Sequence, residues 1–193
     1  MDHLEQISGA GAEMLGRRAQ AREMIGLAEL DALTHARLWR NPCGFAARFN
    51  YVALRYNQPL YGWIEQTYGL SRPEYVVLYS LGLMEGVTAS DIAFSSGFPR
   101  NTLSRAVNRL VKARLVVRTA DKADARAQRL FLGKRGRAIL EETLPRFVAM
   151  EEALLAPLTL VERETLSMLM AKVALALFEG GEEAAGASAA TEE

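Results

Sequence analysis

A single cysteine among 193 residues, Cys43, excludes an intrachain disulfide and any multi-cysteine zinc site, so the fold has to rely on its core. Histidine is nearly as scarce: His3 and His35 are the two present, which argues against zinc sensing. No apolar run approaches the roughly 20 residues that a membrane-spanning helix requires; the longest uncharged stretch is Tyr75 to Met84. The opening Met1-Asp2-His3-Leu4-Glu5 has neither a basic leader nor an apolar centre, so no secretion signal is read, and a cytoplasmic location with no membrane partner is expected. A glycine-rich phosphate loop after a strand is missing, as is any grouping of nucleophile, base and orienting residue. The expectation is therefore a non-enzyme without a cofactor.

Net charge is also absent, with 23 basic and 23 acidic residues, but the charges are not evenly spread. Twelve basic residues fall between Pro99 and Arg137: Arg100, Arg105, Arg109, Lys112, Arg114, Arg118, Lys122, Arg126, Arg129, Lys134, Arg135 and Arg137. Only Asp121 and Asp124 oppose them, giving this stretch a net charge of +10 and the rest of the chain −10. A solvated surface normally intersperses its signs, whereas one cationic lobe in an acidic body is the footprint of a polyanionic partner.

Half of the residues are hydrophobic, enough for one compact domain with tails. Composition predicts disordered tails at 1–12 and 180–193. Residues 13–39 form a proline-free, irregularly amphipathic helical extension. Asn41-Pro42 resembles a cap followed by a first-turn proline, opening a long helix that Gly69 ends. Ser71-Arg72-Pro73-Glu74 and Thr88-Ala89-Ser90-Asp91 each have capping-box spacing. Pro99 starts the next helix, with Leu103, Ala106, Val107 and Leu110 on one stripe. Leu115 to Arg118 and Arg129 to Leu132 read as two short strands. Gly136 to Ala156 is helical, with a kink expected at Pro145. A last capping box, Thr159 to Glu162, opens a helix carrying Leu166, Leu169, Met170, Val173 and Leu177 on one face.

A helix-turn-helix needs a small residue in its first helix, a glycine at the turn and apolar anchors in the second. Ala93, Gly97, Leu103 and Ala106 supply them. The basic hairpin that follows makes a winged helix-turn-helix the economical reading: a mainly α fold with a small β-hairpin wing. On the polar side of the reading helix, Arg100, Asn101, Thr102, Ser104, Arg105 and Asn108 are candidates for groove contacts, and Arg109 and Lys112 for phosphates. Lys134, Arg135 and Arg137 place three cations in the first turn of a helix, where the macrodipole disfavours them and a phosphate would relieve the conflict. Simple solvent exposure is the plainer alternative.

From Leu70 to about Leu177 the chain resembles the MarR family of bacterial transcriptional regulators. The resemblance is carried by Leu70-Ser71-Arg72-Pro73-Glu74-Tyr75, by Asn101-Thr102-Leu103-Ser104-Arg105 and Asn108-Arg109-Leu110, and by Asp124-Ala125-Arg126 in the wing. It implies a homodimer on double-stranded DNA, with dimerisation helices at 40–70 and 143–179 and a DNA-binding lobe at 71–142. It also implies that Arg126 enters the minor groove, oriented by Asp124, and that the operator is a pseudo-palindrome. Arg114 stands where the family commonly has glycine, so either a left-handed cap is strained or the helix ends differently. Gly133 stands where threonine is frequent, a change expected to be tolerated because glycine caps only slightly less well.

Family effectors are often aromatic or carboxylate-bearing, and the resemblance points to Arg48, Tyr51, Arg55, Tyr75 and Tyr79 as ligand-binding candidates. Tyrosines on an apolar stripe are more often core, and arginines there more often serve dimer salt bridges. The extension at 13–39 would cover that pocket or enlarge the dimer surface. Some relatives sense oxidants through a cysteine in the long helix, but the ungapped register places that position at Ala47 rather than Cys43, although Tyr51 and Tyr61 do match. Arg40 is the one cation near Cys43 in sequence, so a packing role is favoured over redox sensing. A winged-helix protein-interaction module without sequence-specific DNA binding is the competing class; Asn101, Ser104 and Asn108, able to read bases, favour the regulator.

Overall fold

The computed structural model describes residues 30–121 and 128–189, with the backbone alone from residue 178 onward. It divides into two units, Met1–Trp63 and Ile64–Glu193. The expected tail at 1–12 and residues 13–29 of the expected helical extension lie outside the described residues, as do 190–193.

In the first unit, Asp31 caps the short helix α1, Ala32–His35, its Oδ1 accepting from the Leu33 and Thr34 N–H groups at 3.1 and 3.0 Å. Hydrogen bonds from Thr34 hold the Asp31 carboxyl below its ordinary pKa. A π-helical turn, Ala36–Arg40, follows. Asn41 is then extended, the backbone preference of a residue preceding proline, and its Oδ1 accepts from the Cys43 N–H at 2.9 Å. The long helix α2 consequently opens at Gly44, slightly later than the Asn41-Pro42 signal predicts, and runs to Tyr68. Pro59 lies inside it, which the periodicity passes over, and removes the donor that the Arg55 carbonyl would otherwise meet.

In the second unit the expected punctuation appears. Gly69 takes a positive φ of 66° just past α2. Helix α3, Arg72–Leu83, starts on the Ser71–Glu74 box, with the buried Glu74 carboxylate accepting from the Ser71 N–H at 2.8 Å and from its hydroxyl at 2.6 Å. Helix α4, Ala89–Ser96, starts on the Thr88–Asp91 box and ends at Gly97 with φ 72°. The Thr88 N–H and hydroxyl, with the nearby charge of Arg129, keep the Asp91 carboxyl below its ordinary pKa.

Helix α5, Arg100–Lys112, buries Leu103, Ala106, Val107 and Leu110, the predicted stripe. It ends on Arg114 with φ 58°, the one non-glycine residue with positive φ among those described. The Leu115 N–H bonds to the Leu110 carbonyl at 2.9 Å and the Arg114 N–H to the Val111 carbonyl at 3.0 Å, a Schellman termination built on arginine. Of the two outcomes the sequence leaves open, the structure takes the left-handed cap. An L-residue with a side chain is strained there by about 1 kcal/mol. Arg114→Gly is therefore expected to stabilise the protein by about 1 kcal/mol, read as a higher urea midpoint with an unchanged m value.

Strands β1, Val116–Ala120, and β2, Gln128–Leu132, pair antiparallel with Val116 opposite Leu132. The α3–α4 loop bonds to the free edge of β2, through Gly86 N–H to the Leu130 carbonyl at 2.8 Å and Leu130 N–H to the Val87 carbonyl at 3.0 Å. Helix α6, Lys134–Leu155, contains Pro145 in its interior, the position at which the sequence predicts a kink. Helix α3 packs on α5, α6 and β2, and α4 packs on α5. Tyr75, Leu78, Leu81, Ile92, Leu103, Leu110 and Leu130 are all buried in this core.

Gly133 caps α6 as expected, and the site has a use for glycine that capping alone does not show: a Cβ there would lie 2.5 Å from the Arg114 carbonyl oxygen. The last helix, α7, Leu160–Ala189, carries a helical backbone well into the stretch 180–193 that composition marks as a tail. Alanine and glutamate dominate that stretch, and both are strong helix formers once a preceding helix supplies the nucleus.

Candidate nucleic-acid interface

The buried stripe of α5 fixes which way its other side chains point. Arg100, Asn101, Ser104, Arg105, Asn108, Arg109 and Lys112 are all exposed, while Thr102 is half-buried. The groove-contact candidates therefore share one accessible face, next to the hairpin. The Arg105 Nε–H donates to the Asn101 carbonyl at 3.3 Å, which lays that side chain back along its own helix.

Several of the twelve cations are already held by carboxylates. Arg109 lies 3.8 Å from the buried Glu74 carboxylate, a loose contact for a side chain 73% exposed. Arg137 donates to Glu85 Oε1 at 2.7 Å, and the same oxygen accepts from the Leu132 N–H at 2.9 Å. The cation conflict in the first turn of α6 is thus partly relieved from within the fold, leaving Lys134 and Arg135 as its exposed cations beside Arg137. Arg129 pairs with Asp121 and donates to the Gly86 carbonyl at 3.0 Å, tying the base of the hairpin to the α3–α4 loop. The wing candidates Asp124 and Arg126 lie outside the described residues.

Sequence reasoning counts Arg118 in the basic stretch but assigns it no role. In the structure its Nη2 donates to the Asn108 Oδ1 at 2.8 Å, joining β1 to the reading helix. The signal was the two-residue period of a strand: residue 118 shares the face of buried Val116, and β1 packs on α5. Glu74 and Glu85 were likewise unassigned as partners; their spacing from the arginines, across other elements, gives no local pattern.

The ligand-binding candidates fall in different settings. Arg48 donates to the Leu38 carbonyl at 2.9 Å, and its guanidinium lies 4.4 Å from the ring centres of both Trp39 and Phe45. Arg55 sits 5.0 Å over the Tyr51 ring. Tyr75 is a correction: it is wholly buried, stacks on Phe147 at 5.1 Å, and its hydroxyl shares a 2.7 Å hydrogen bond with Thr143 Oγ1. Its position on the apolar side of α3 makes it core. Tyr79, one turn later, is exposed. None of the five lines the cavity of about 440 Å³ beneath the end of α5, whose walls include Tyr68, Leu70, Glu74, Arg109, Leu115 and Arg135. Burial, then Glu142, pushes the Tyr68 phenol above its ordinary pKa. Cys43 is exposed, and among the described residues no cluster of His, Cys, Asp and Glu could hold a metal ion. No described helix is long and apolar enough to cross a membrane.

Residues 68–127 match the model of the MarR family. The chain is 31% identical over 108 residues to the uncharacterized HTH-type transcriptional regulator YwaE of Bacillus subtilis. That match spans 56% of this chain and 63% of the relative, so it covers somewhat less than two thirds of the relative's length. A MarR-family transcriptional regulator from Silicibacter pomeroyi superposes with a TM-score of 0.62 at 27% identity, over 67% of this chain and 88% of that one. The Staphylococcus aureus MepR–DNA complex superposes with a TM-score of 0.61 at 22% identity, over 69% and 96% of the two chains, a likeness of fold.

Proposed function

We propose that this MarR-family transcriptional regulator acts as a homodimer that binds a pseudo-palindromic DNA operator and is released or modulated by a small ligand. The observation that carries the reading is the single polar face of α5, bearing Arg100, Asn101, Ser104, Arg105 and Asn108, all exposed, opposite a fully buried stripe and beside a hairpin. Arginine, asparagine and serine are side chains able to hydrogen-bond base edges in a major groove. MepR, similar in fold, is known in complex with DNA, which supports the same use of this lobe.

The dimer rests on apolar surface left uncovered in one copy. On α7, Leu166, Leu169, Met170, Val173 and Leu177 are all exposed, and on α2 so are Phe45, Phe49 and Val52. An apolar helix face of that length is unusual on a soluble monomer and fits a self-complementary partner surface. Two copies place two reading helices about one helical turn apart, roughly 34 to 36 Å, on successive major grooves. In the wing, Arg126 and Asp124 keep the roles that the family resemblance implies.

The effector is expected to carry an aromatic body and a carboxylate, and the family resemblance nominates for it Arg48, Tyr51 and Arg55 in the first unit and, separately, Tyr79 in the second. Repression is the simplest outcome of occupying an operator. The decisive measurement is selection of bound duplexes from random DNA, followed by gel-shift titration. We expect a two-fold symmetric consensus, and Arg105→Ala is expected to weaken binding to it about tenfold or more while leaving low-salt affinity for unrelated DNA within a few-fold. Absence of any consensus would favour the protein-interaction module instead.

A further inference from the structure

The hydrogen bond from Arg118 on β1 to Asn108 on α5 decides what Asn108 can read. A guanidinium has five N–H groups and no acceptor, so the atom it meets at 2.8 Å is the carbonyl oxygen of the amide. Turning the amide over would set donor against donor. The end of Asn108 left for another molecule is therefore its NH₂ group.

An unconstrained asparagine matches adenine, accepting from N6 and donating to N7. With a cation beside its carbonyl oxygen, a further approaching N–H meets positive charge at that end and is disfavoured. The Asn108 NH₂ and the remaining guanidinium N–H groups instead form a surface made of donors alone. Guanine, with its adjacent N7 and O6 acceptors in the major groove, is the base whose edge fits such a surface.

We propose that Arg118 is a specificity-determining positioning residue that converts Asn108 from an adenine reader into half of a guanine-reading pair. Both side chains are exposed on the cationic lobe and come from different elements, so the pair exists only when the hairpin is docked on α5. The assignment rests on the proposed reading of α5 as the groove-facing helix.

The test is selection from random duplex DNA with the full chain, in parallel for wild type, Arg118→Met and Asn108→Ala. Wild type is expected to select guanine at one position of each half-site. Arg118→Met is expected to shift that position toward adenine, changing the guanine-to-adenine ratio about tenfold, the worth of one good bidentate contact. Asn108→Ala is expected to flatten the same position without gaining adenine. An Arg118→Met consensus identical to wild type overturns the proposal. So does uniform weakening on all sequences with a shallower salt dependence, which would make Arg118 a phosphate contact. If wild type selects no consensus, the groove-facing role of α5 fails first, and the two failures are thereby told apart.

Discussion

Gly136→Ala is expected to destabilise the protein by about 3 kcal/mol, the upper range for overpacking a tight site. For a chain of this length that corresponds to a fall in Tm of roughly 6 to 12 °C. A Cβ at Gly136 would lie 2.1 Å from the Leu115 carbonyl oxygen, with the Leu115 carbonyl carbon at 3.1 Å and Cα at 3.4 Å. All three are backbone atoms of the corner between α5 and β1, so no side-chain rotation relieves the clash. Gly82→Ala is the control. Its Cβ would also meet an atom at 2.1 Å, but that atom is Leu140 Cδ2, the end of a side chain with other rotamers. Its cost is expected to be about 1 kcal/mol. Thermal melts of the two variants check the contrast; equal shifts would show that the corner yields as readily as a leucine.

Leu169→Glu is expected to leave the protein folded, make it monomeric at micromolar concentration and lower operator affinity at least about 100-fold. Leu169 is 55% exposed on the apolar face of α7, so a charge there costs the single copy little. Against a second copy, the same position loses the roughly 1.5 to 3 kcal/mol that burying a leucine gives and adds a desolvated carboxylate to each side. Two linked half-site contacts gain about 10² to 10⁴ in avidity over one, and a monomer forgoes that gain. Sedimentation together with gel-shift titration reads both quantities. A dimer that persists would place the partner surface elsewhere; a monomer with unchanged operator affinity would refute dimeric binding.

Much of the second unit was legible because its signals are local. A capping box spans four residues, and those at Ser71, Thr88 and Thr159 all mark helix starts in the structure. The stripe of α5 follows from the helical period, and Gly69 and Gly97 take the positive φ that ends their helices. What the sequence could not supply were meetings between elements. Glu85 serves Arg137 because α6 packs on α3, Asp121 serves Arg129 because the two strands pair, and Asn108 serves Arg118 because the hairpin docks on α5. Gly133 illustrates the same limit. Judged as a cap it is interchangeable with threonine, but the Arg114 carbonyl above it leaves no room for a side chain. Tyr75 was placed among ligand contacts by resemblance, whereas its partner Thr143 is far away in sequence.

The left-handed turn at Arg114 has a mechanical meaning. Between Leu110 and Gly136 the chain is bolted at three places: the Leu115 N–H to Leu110, the Gly133 N–H to the Leu115 carbonyl at 2.8 Å, and the close seat of Gly136 on that same carbonyl. The end of α5, the paired base of the hairpin and the start of α6 are thus tied into one bracket through the Leu115 backbone. On the proposed dimeric reading, a signal that changed the grip on DNA would swing this bracket as a whole, altering the spacing of two brackets rather than the shape of either.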